Sequence, residues 1–290
     1  MNQIKRCQPL LGTFVEITLE GPQSAETLHH WAGKAFELIS SVGRMMSFHD
    51  ASSDISRLNR CAHISPIHVH PWTHEVIRKA VKLSADTEGA FDVTVAPKLV
   101  QMGYLPRHRP FVTLNDAGMW TDIDLLEGGN IFFRKPLMID LGGIAKGFAV
   151  DKAIDWLSSH ALTSAVVNAG GDLRVFGSGP HSFAIRNPAA PQESYLPAEM
   201  LRPSVATSAA YFSRKRHGLE RVSPIVHPVT GKSLRSNRSV SVFAPTCIQA
   251  DALTKAVLLA PQALWSRVLR EANSLALFVT QRGERVLFPA

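Results

Sequence analysis

The chain has 290 residues, 45% hydrophobic and 19% charged, the balance of an ordinary soluble globular protein with enough length to bury a sizeable core. No apolar run approaches the length of a membrane span, which sets aside an integral helical membrane protein. Cys7, Cys61 and Cys247 are far apart and form no CxxC pair, so neither a zinc site nor a disulfide framework is indicated.

The net charge is +7, and it is unevenly placed. Between Leu201 and Arg238 eight Lys or Arg residues stand against one acid, Glu220. Such a stretch suits an anionic partner or a solvated basic surface in equal measure. The N-terminus, MNQIKRCQPLLGTFVEI, has basic residues but no long apolar segment before a small-residue cleavage site, so a cytoplasmic protein is expected.

Taken in chain order, residues 11–20 alternate from Phe14 and predict a strand. Residues 24–46 carry Leu28, Trp31, Ala35, Leu38, Val42 and Met46 at helical spacing, a long amphipathic helix. The polar segment FHDASSDISRLN reads as a loop. Pro71 opens a second helix, with Val76, Ile77, Ala80 and Leu83 on one face, ending near Gly89 before AFDVTVAP, a helix-to-strand corner.

Residues 122–141 predict strands over IDLL, IFF and PLMIDL around an Glu-Gly-Gly-Asn turn. A helix follows with Ala149, Val150, Ala153, Ile154 and Leu157 inward. SAVVNAGGDLRVFG is strand, glycine corner, strand. Residues 187–198 read as a surface loop. SVSVFAP predicts a strand leading into a helix at ADALTKAVLLA, and a closing strand or two completes the chain. Strands joined by hairpins and interspersed with helices predict an α+β fold, with mixed or antiparallel sheets packed against helices. Residues 1–290 show no linker, so one domain is expected, or two intimately packed subdomains.

The most informative stretch is IDLGGIAKGFAVD, residues 139–151. It fails the P-loop pattern and the GxGxxG fingerprint. It still places Gly142 and Gly143 between an apolar segment and a helix start, where unpaired N–H groups attract anions. Lys146 lies in the first turn, where the helix dipole disfavours a cation, so a bound phosphate would rationalise it. A tight turn with an exposed lysine explains the stretch equally well.

In QADALTKAV, Asp251 stands near a helix start, either satisfying backbone donors or binding a hard cation with Thr254 adding a hydroxyl. Gly170 and Gly171 permit close approach of a ligand or another backbone. Asp92 follows Phe91 at a corner, Thr207 and Ser208 lead into the basic stretch, and His227 beside Pro228 is a candidate general base.

The order of these segments, with LGT at 11–13 and MSFHDASSDISRLN at 46–59, resembles the ApbE family of FAD:protein FMN transferases. The resemblance runs from about residue 10 to 260, and IDLGGIAKGFAVD is its most specific piece. It implies an α+β fold related to the tunnelling type. It also implies Mg²⁺-dependent cleavage of the FAD pyrophosphate, with FMN passed to a Thr or Ser hydroxyl of an acceptor protein as a phosphoester and AMP released. FAD and that acceptor are then the partners, with no nucleic acid and no membrane span.

By position, the resemblance puts His49, Phe91, Asp92, Asp140, Gly143, Lys146, Gly170, Gly171 and Thr207 in the FAD site. The Gly143 carbonyl, Asp251 and Thr254 would hold the metal, and His227 and Asp251 would be catalytic. Several positions depart from the family pattern. Lys255 stands where a metal-binding threonine is usual, so either Thr254 substitutes or Lys255 takes over part of the cation's role. Pro224 replaces a histidine, and LGT and ATSA replace MGT and ATSG. No (S/T)GAT-like acceptor follows an aspartate in the chain itself. FAD hydrolysis to FMN and AMP, and FAD binding without catalysis, are the competing readings.

Overall fold

An eight-stranded sheet organises the chain. In the computed structural model, which describes residues 1–107, 118–177, 182–190 and 195–289, strand β1 (Asn2–Leu10) pairs antiparallel with β2 (Thr13–Gly21). Val15, Ile17 and Leu19 of β2 are fully buried while their neighbours face outward. The two-residue turn at Leu11 and Gly12 has positive φ at both positions, as such hairpins require.

Helix α1 (Ala25–Met46) follows, capped by Ser24. Its buried face centres on Ala32, Phe36 and Ile39, rotated from the predicted stripe, so Trp31 and Leu38 sit at its margin. The polar segment expected to be a loop contains helix α2 (Asp54–Cys61), started by the Ser53 cap. Strand β3 (Ile67–His68) and helix α3 (Pro71–Asp86) come next.

After α3 the predicted strand does not form. Asp92 caps a 3₁₀ turn that runs into helix α4 (Ala96–Gln101). Strands β4 (Ile123–Leu126) and β5 (Asn130–Phe133) form the expected hairpin and, with β3, a three-stranded sheet. PLMIDL, predicted as a further strand, joins no ladder although Leu137, Met138, Ile139 and Leu141 are buried. Asn59 of α2 substitutes for a neighbouring strand. Its amide donates to the Ile139 carbonyl at 3.0 Å and accepts from the Ile139 N–H at 2.8 Å.

Helix α5 (Ala145–Ser158) buries the predicted face. Strands β6 (Ser164–Ala169) and β7 (Asp172–Gly177) turn at Gly170 and Gly171, and β8 (Ser182–Arg186) pairs with β9 (Tyr195–Glu199). Part of the predicted 187–198 loop is therefore strand, and its residues 191–194 lie outside the described residues. Strand β10 (Ser204–Ala209) and the small hairpin of β11 (Lys215–His217) and β12 (Glu220–Val222) precede β13 (Ser239–Ala244). Helices α6 (Cys247–Leu259) and α7 (Gln262–Glu271) and strands β14 (Leu275–Val279) and β15 (Arg285–Phe288) end the fold.

The main sheet runs β1-β2-β6-β7-β10-β13-β14-β15, antiparallel at every pairing. Helices α1, α5 and α6 pack against it, and their apolar faces merge with its inner residues into one core cluster. That shared core makes residues on both sides of the predicted site parts of one hydrophobic unit.

Candidate functional site

Two helix N-termini meet at the centre of the molecule. A Cβ on Gly147 of α5 would lie 2.3 Å from the Cys247 carbonyl oxygen of α6, so only glycine lets the helices approach this closely. Neither helix is capped by its own N-cap side chain. Each instead takes an aspartate from the other. Asp151 of α5 accepts from the Cys247 and Ile248 N–H groups, both at 2.8 Å. Asp251 of α6 accepts from the Gly147 N–H at 3.1 Å. Asp251 therefore satisfies backbone donors, as one sequence reading had it, but those of a helix more than a hundred residues away in sequence.

Around Asp251 the charges alternate. Lys255 Nζ bonds Asp251 Oδ1, and Lys146 Nζ bonds Asp172 Oδ2 while lying 3.7 Å from Asp251 Oδ2. Both carboxylates are almost fully enclosed, the Asp251 side chain at 0% exposure and the Asp172 side chain at 4%, while Lys146 keeps 30% and Lys255 18%. Burial pushes the Asp251 carboxyl up, but the ammonium groups of Lys146 and Lys255 outweigh it and hold the group below the usual range. Burial and the charge of Asp251 push Asp172 up. Lys146 is held well above the ordinary lysine value because Asp172 and Asp251 overcome the cost of its burial. Lys146, in the first turn of α5, thus meets two buried carboxylates.

The predicted residues fall into three groups. Gly143, Phe91, Lys146, Asp251 and Thr254 converge. A Cβ on Gly143 would stand 3.7 Å from Phe91 Cε2 and 3.8 Å from Lys255 Cε. Thr254 Oγ1 donates to the Asp251 carbonyl at 2.7 Å and lies 2.8 Å from Ser208 Oγ of β10. Asp140 stands beside Gly142. Asp140 Oδ2 accepts from the Gly142 N–H at 3.1 Å, burial raises its carboxyl, and the charge of His49 partly opposes the rise.

The remaining residues make contacts outside that convergence. Asp92 accepts from the N–H groups of Thr94 at 2.9 Å and Trp120 at 3.1 Å. Gly170, at positive φ, packs where a Cβ would meet Thr13 Oγ1 at 2.4 Å, and Gly171 donates to Asn168 Oδ1. Thr207 bonds Ser241 across the β10–β13 pair at 2.8 Å. His227 stands apart: its Nδ1 accepts from the Thr230 N–H at 3.3 Å and steadies its own turn, while its backbone pairs with Lys232 and Gly231. Among the described residues, no hydrogen bond or ion pair joins it to Asp251.

The basic stretch is dispersed in local contacts. Arg214 donates to Ser236, Arg235 pairs with Glu220, and Arg202 reaches Asn273. A cavity of about 370 Å³ between α3, α6 and α7 is lined by none of the predicted site residues. Asp172, Asp151, Ser208 and Lys255 belong to the centre, and the sequence reading assigned a site role to none of the first three. Asp151 and Asp172 close the two glycine motifs, so their signal was present in the strings themselves.

Mg²⁺ asks for near-octahedral oxygen ligands. Here both Asp251 oxygens already accept, one from the Lys255 ammonium and the other from the Gly147 N–H, and the Thr254 hydroxyl is turned to a carbonyl. A divalent ion at Asp251 would have to compete with the Lys255 ammonium already on Oδ1.

Comparison with known proteins decides the family. The model of the ApbE family matches residues 11–279. The chain belongs to the ApbE family. It is 32% identical over 277 residues to the FAD:protein FMN transferase of Vibrio cholerae, covering 89% of this chain and 81% of that one. The FAD:protein FMN transferase of Haemophilus influenzae is 28% identical, with 85% and 77% covered. The crystal structure of the ApbE protein of Thermotoga maritima superposes with a TM-score of 0.83 at 25% identity, covering 98% of this chain and 96% of that one. The flavin transferase ApbE of Vibrio cholerae gives 0.80 at 26% identity, with 99% and 96% covered. The α+β reading is thereby established. Among the described residues no helix is long and apolar enough to cross a membrane.

Proposed function

We propose that this ApbE-family chain transfers the FMN half of FAD to a Thr or Ser hydroxyl of a separate acceptor protein and releases AMP. The observation that carries the reading is the paired cluster of Lys146, Asp172, Asp251 and Lys255 at the abutting starts of α5 and α6, beside Gly142 and Gly143. The names of the relatives supply the substrate class.

In this transfer the acceptor hydroxyl oxygen attacks the FMN phosphorus. The new phosphoester bond forms as the bridging P–O bond breaks, AMP leaves with the bridging oxygen, and the hydroxyl proton is lost to a base. Negative charge on the diphosphate meets two ammonium groups fixed by buried carboxylates. Groups held this way need little reorganisation when charge develops on the leaving phosphate. Phe91 and the Gly142–Gly143 segment flank the same place and, in this reading, position the nucleotide. Mg²⁺ is not assigned a role, because the donors are already engaged.

The test incubates the protein with FAD, with and without an acceptor carrying the family's threonine motif, and measures AMP and acceptor mass. Equal amounts of AMP and flavinylated acceptor are expected. AMP without labelling across a panel of acceptors would replace transfer by hydrolysis, and no AMP under any condition would reduce the chain to an FAD-binding protein.

A further inference from the structure

The Asp251 carboxylate is the most deeply buried acid in the cluster, and a lysine of its own helix serves it. Lys255 lies four residues after Asp251, one helical turn on, so both side chains share a face. Its ammonium bonds Asp251 Oδ1 and donates to the Asp251 carbonyl at 3.0 Å. Its methylene carbons pass beside Gly143, within 4.0 Å of where a Cβ would sit. The ammonium therefore occupies the space between the Asp251 carboxylate and the glycine segment.

We propose that the Lys255 ammonium is the built-in cation of this site, standing where a divalent ion would otherwise bridge Asp251 and the diphosphate, so that the chain handles its dinucleotide without a tight divalent-metal position. The inference rests on the reading of the site as one for a dinucleotide diphosphate. Three observations support it.

Asp251 already has partners within the protein. Asp251 Oδ1 serves Lys255, Oδ2 serves the Gly147 N–H with Lys146 beyond it, and Thr254 gives its proton to a backbone carbonyl. The charges are also complete, since Asp172 and Asp251 balance Lys146 and Lys255. A divalent ion would therefore have to displace the Lys255 ammonium from Asp251 Oδ1. Finally, the ammonium is tethered. A lysine on a flexible stem is a compact cation with three donors, and packing against Gly143 confines that stem. It can bond Asp251 and still offer a donor to a phosphate oxygen.

Paramagnetic Mn²⁺ tests this without reference to turnover. The wild-type chain, alone and with FAD, is titrated with Mn²⁺ and bound ion is read by electron paramagnetic resonance, with FAD alone as the reference. Wild type should bind no stoichiometric Mn²⁺ beyond that reference up to about millimolar concentration, the range of weak oxygen-ligand sites. Lys255→Thr should acquire one site, at least tenfold tighter than any in wild type, that Asp251→Asn then removes. AMP release by wild type should change less than twofold in EDTA, while Lys255→Thr should require added Mg²⁺.

One Mn²⁺ bound per wild-type chain and lost in Asp251→Asn would overturn the proposal. If Lys255→Thr does not fold, the wild-type titration decides alone. Absence of AMP release with and without Mg²⁺ would remove the transferase reading while the Mn²⁺ result still stands or falls by itself.

Discussion

Gly147→Ala puts the contact between the two helix starts to a quantitative test. The new methyl carbon would lie 2.3 Å from the Cys247 carbonyl oxygen, 2.6 Å from its carbon and 2.8 Å from Ile248 Cα. The first contact is 0.7 Å inside the 3.0 Å that real Cβ atoms respect, and every atom it meets is backbone. Relief requires α5 and α6 to separate, which costs about 1–3 kcal/mol as overpacking. Separation also weakens the Gly147–Asp251 bond, and a hydrogen bond to a charged group is worth about 1.5–3 kcal/mol.

Against this, alanine favours a helix over glycine by about 1 kcal/mol. The net is a destabilisation of about 2–4 kcal/mol, read as a lower urea midpoint with unchanged slope. Gly33→Ala is the matched control. It too sits inside a helix, but the nearest atom to its Cβ is Arg6 Nη1 at 3.6 Å, so it should gain about 0.5–1 kcal/mol. Gly147→Ala as stable as wild type would refute the close contact between the helices.

Three further substitutions probe the same construction. Asp151→Ala leaves the Cys247 and Ile248 N–H groups without their acceptor and Arg174 with only Asp155, and should cost about 2–4 kcal/mol in urea unfolding. Asn59→Ala orphans both polar groups of buried Ile139 and should cost a similar amount, with faster amide exchange over residues 137–141; unchanged exchange would contradict it. His227→Ala should lower turnover less than tenfold, since its ring supports its own turn. A loss of about 10²–10⁴-fold would restore it as the general base.

The elements that hold the site were legible wherever a local pattern carries them. Alternation marked β2, helical spacing marked α1, α3 and α5, and the paired glycines marked the β6–β7 corner. Strand β1 was not legible, because Lys5 and Arg6 interrupt its apolar pattern and its partner β2 supplies its register. PLMIDL has the composition of a strand, but its hydrogen bonds come from the distant Asn59 side chain, on Ile139, and from the Val93 carbonyl, on Asp140. Helix α7 did have a signal, with Trp265, Val268 and Leu269 at helical spacing.

At the site, the motif order located Gly143, Lys146 and Asp251 together, and the structure agrees. What no local pattern contains is the exchange of caps, since Asp151 and Asp251 act across about a hundred residues. For Asp172 the glycine motif marks the position, but its partner is a lysine on another element. Lys255 was visible as a departure from the family pattern, but its bond to Asp251 shows what the departure does.

The most direct test of the account is the stoichiometry of the reaction at Asp251. FAD binding is followed by flavin fluorescence, and AMP and flavinylated acceptor are quantified together for wild type and Asp251→Asn. Wild type should yield the two products one to one, and Asp251→Asn should bind FAD yet yield neither. Full product formation by the variant would place the chemistry elsewhere in the chain.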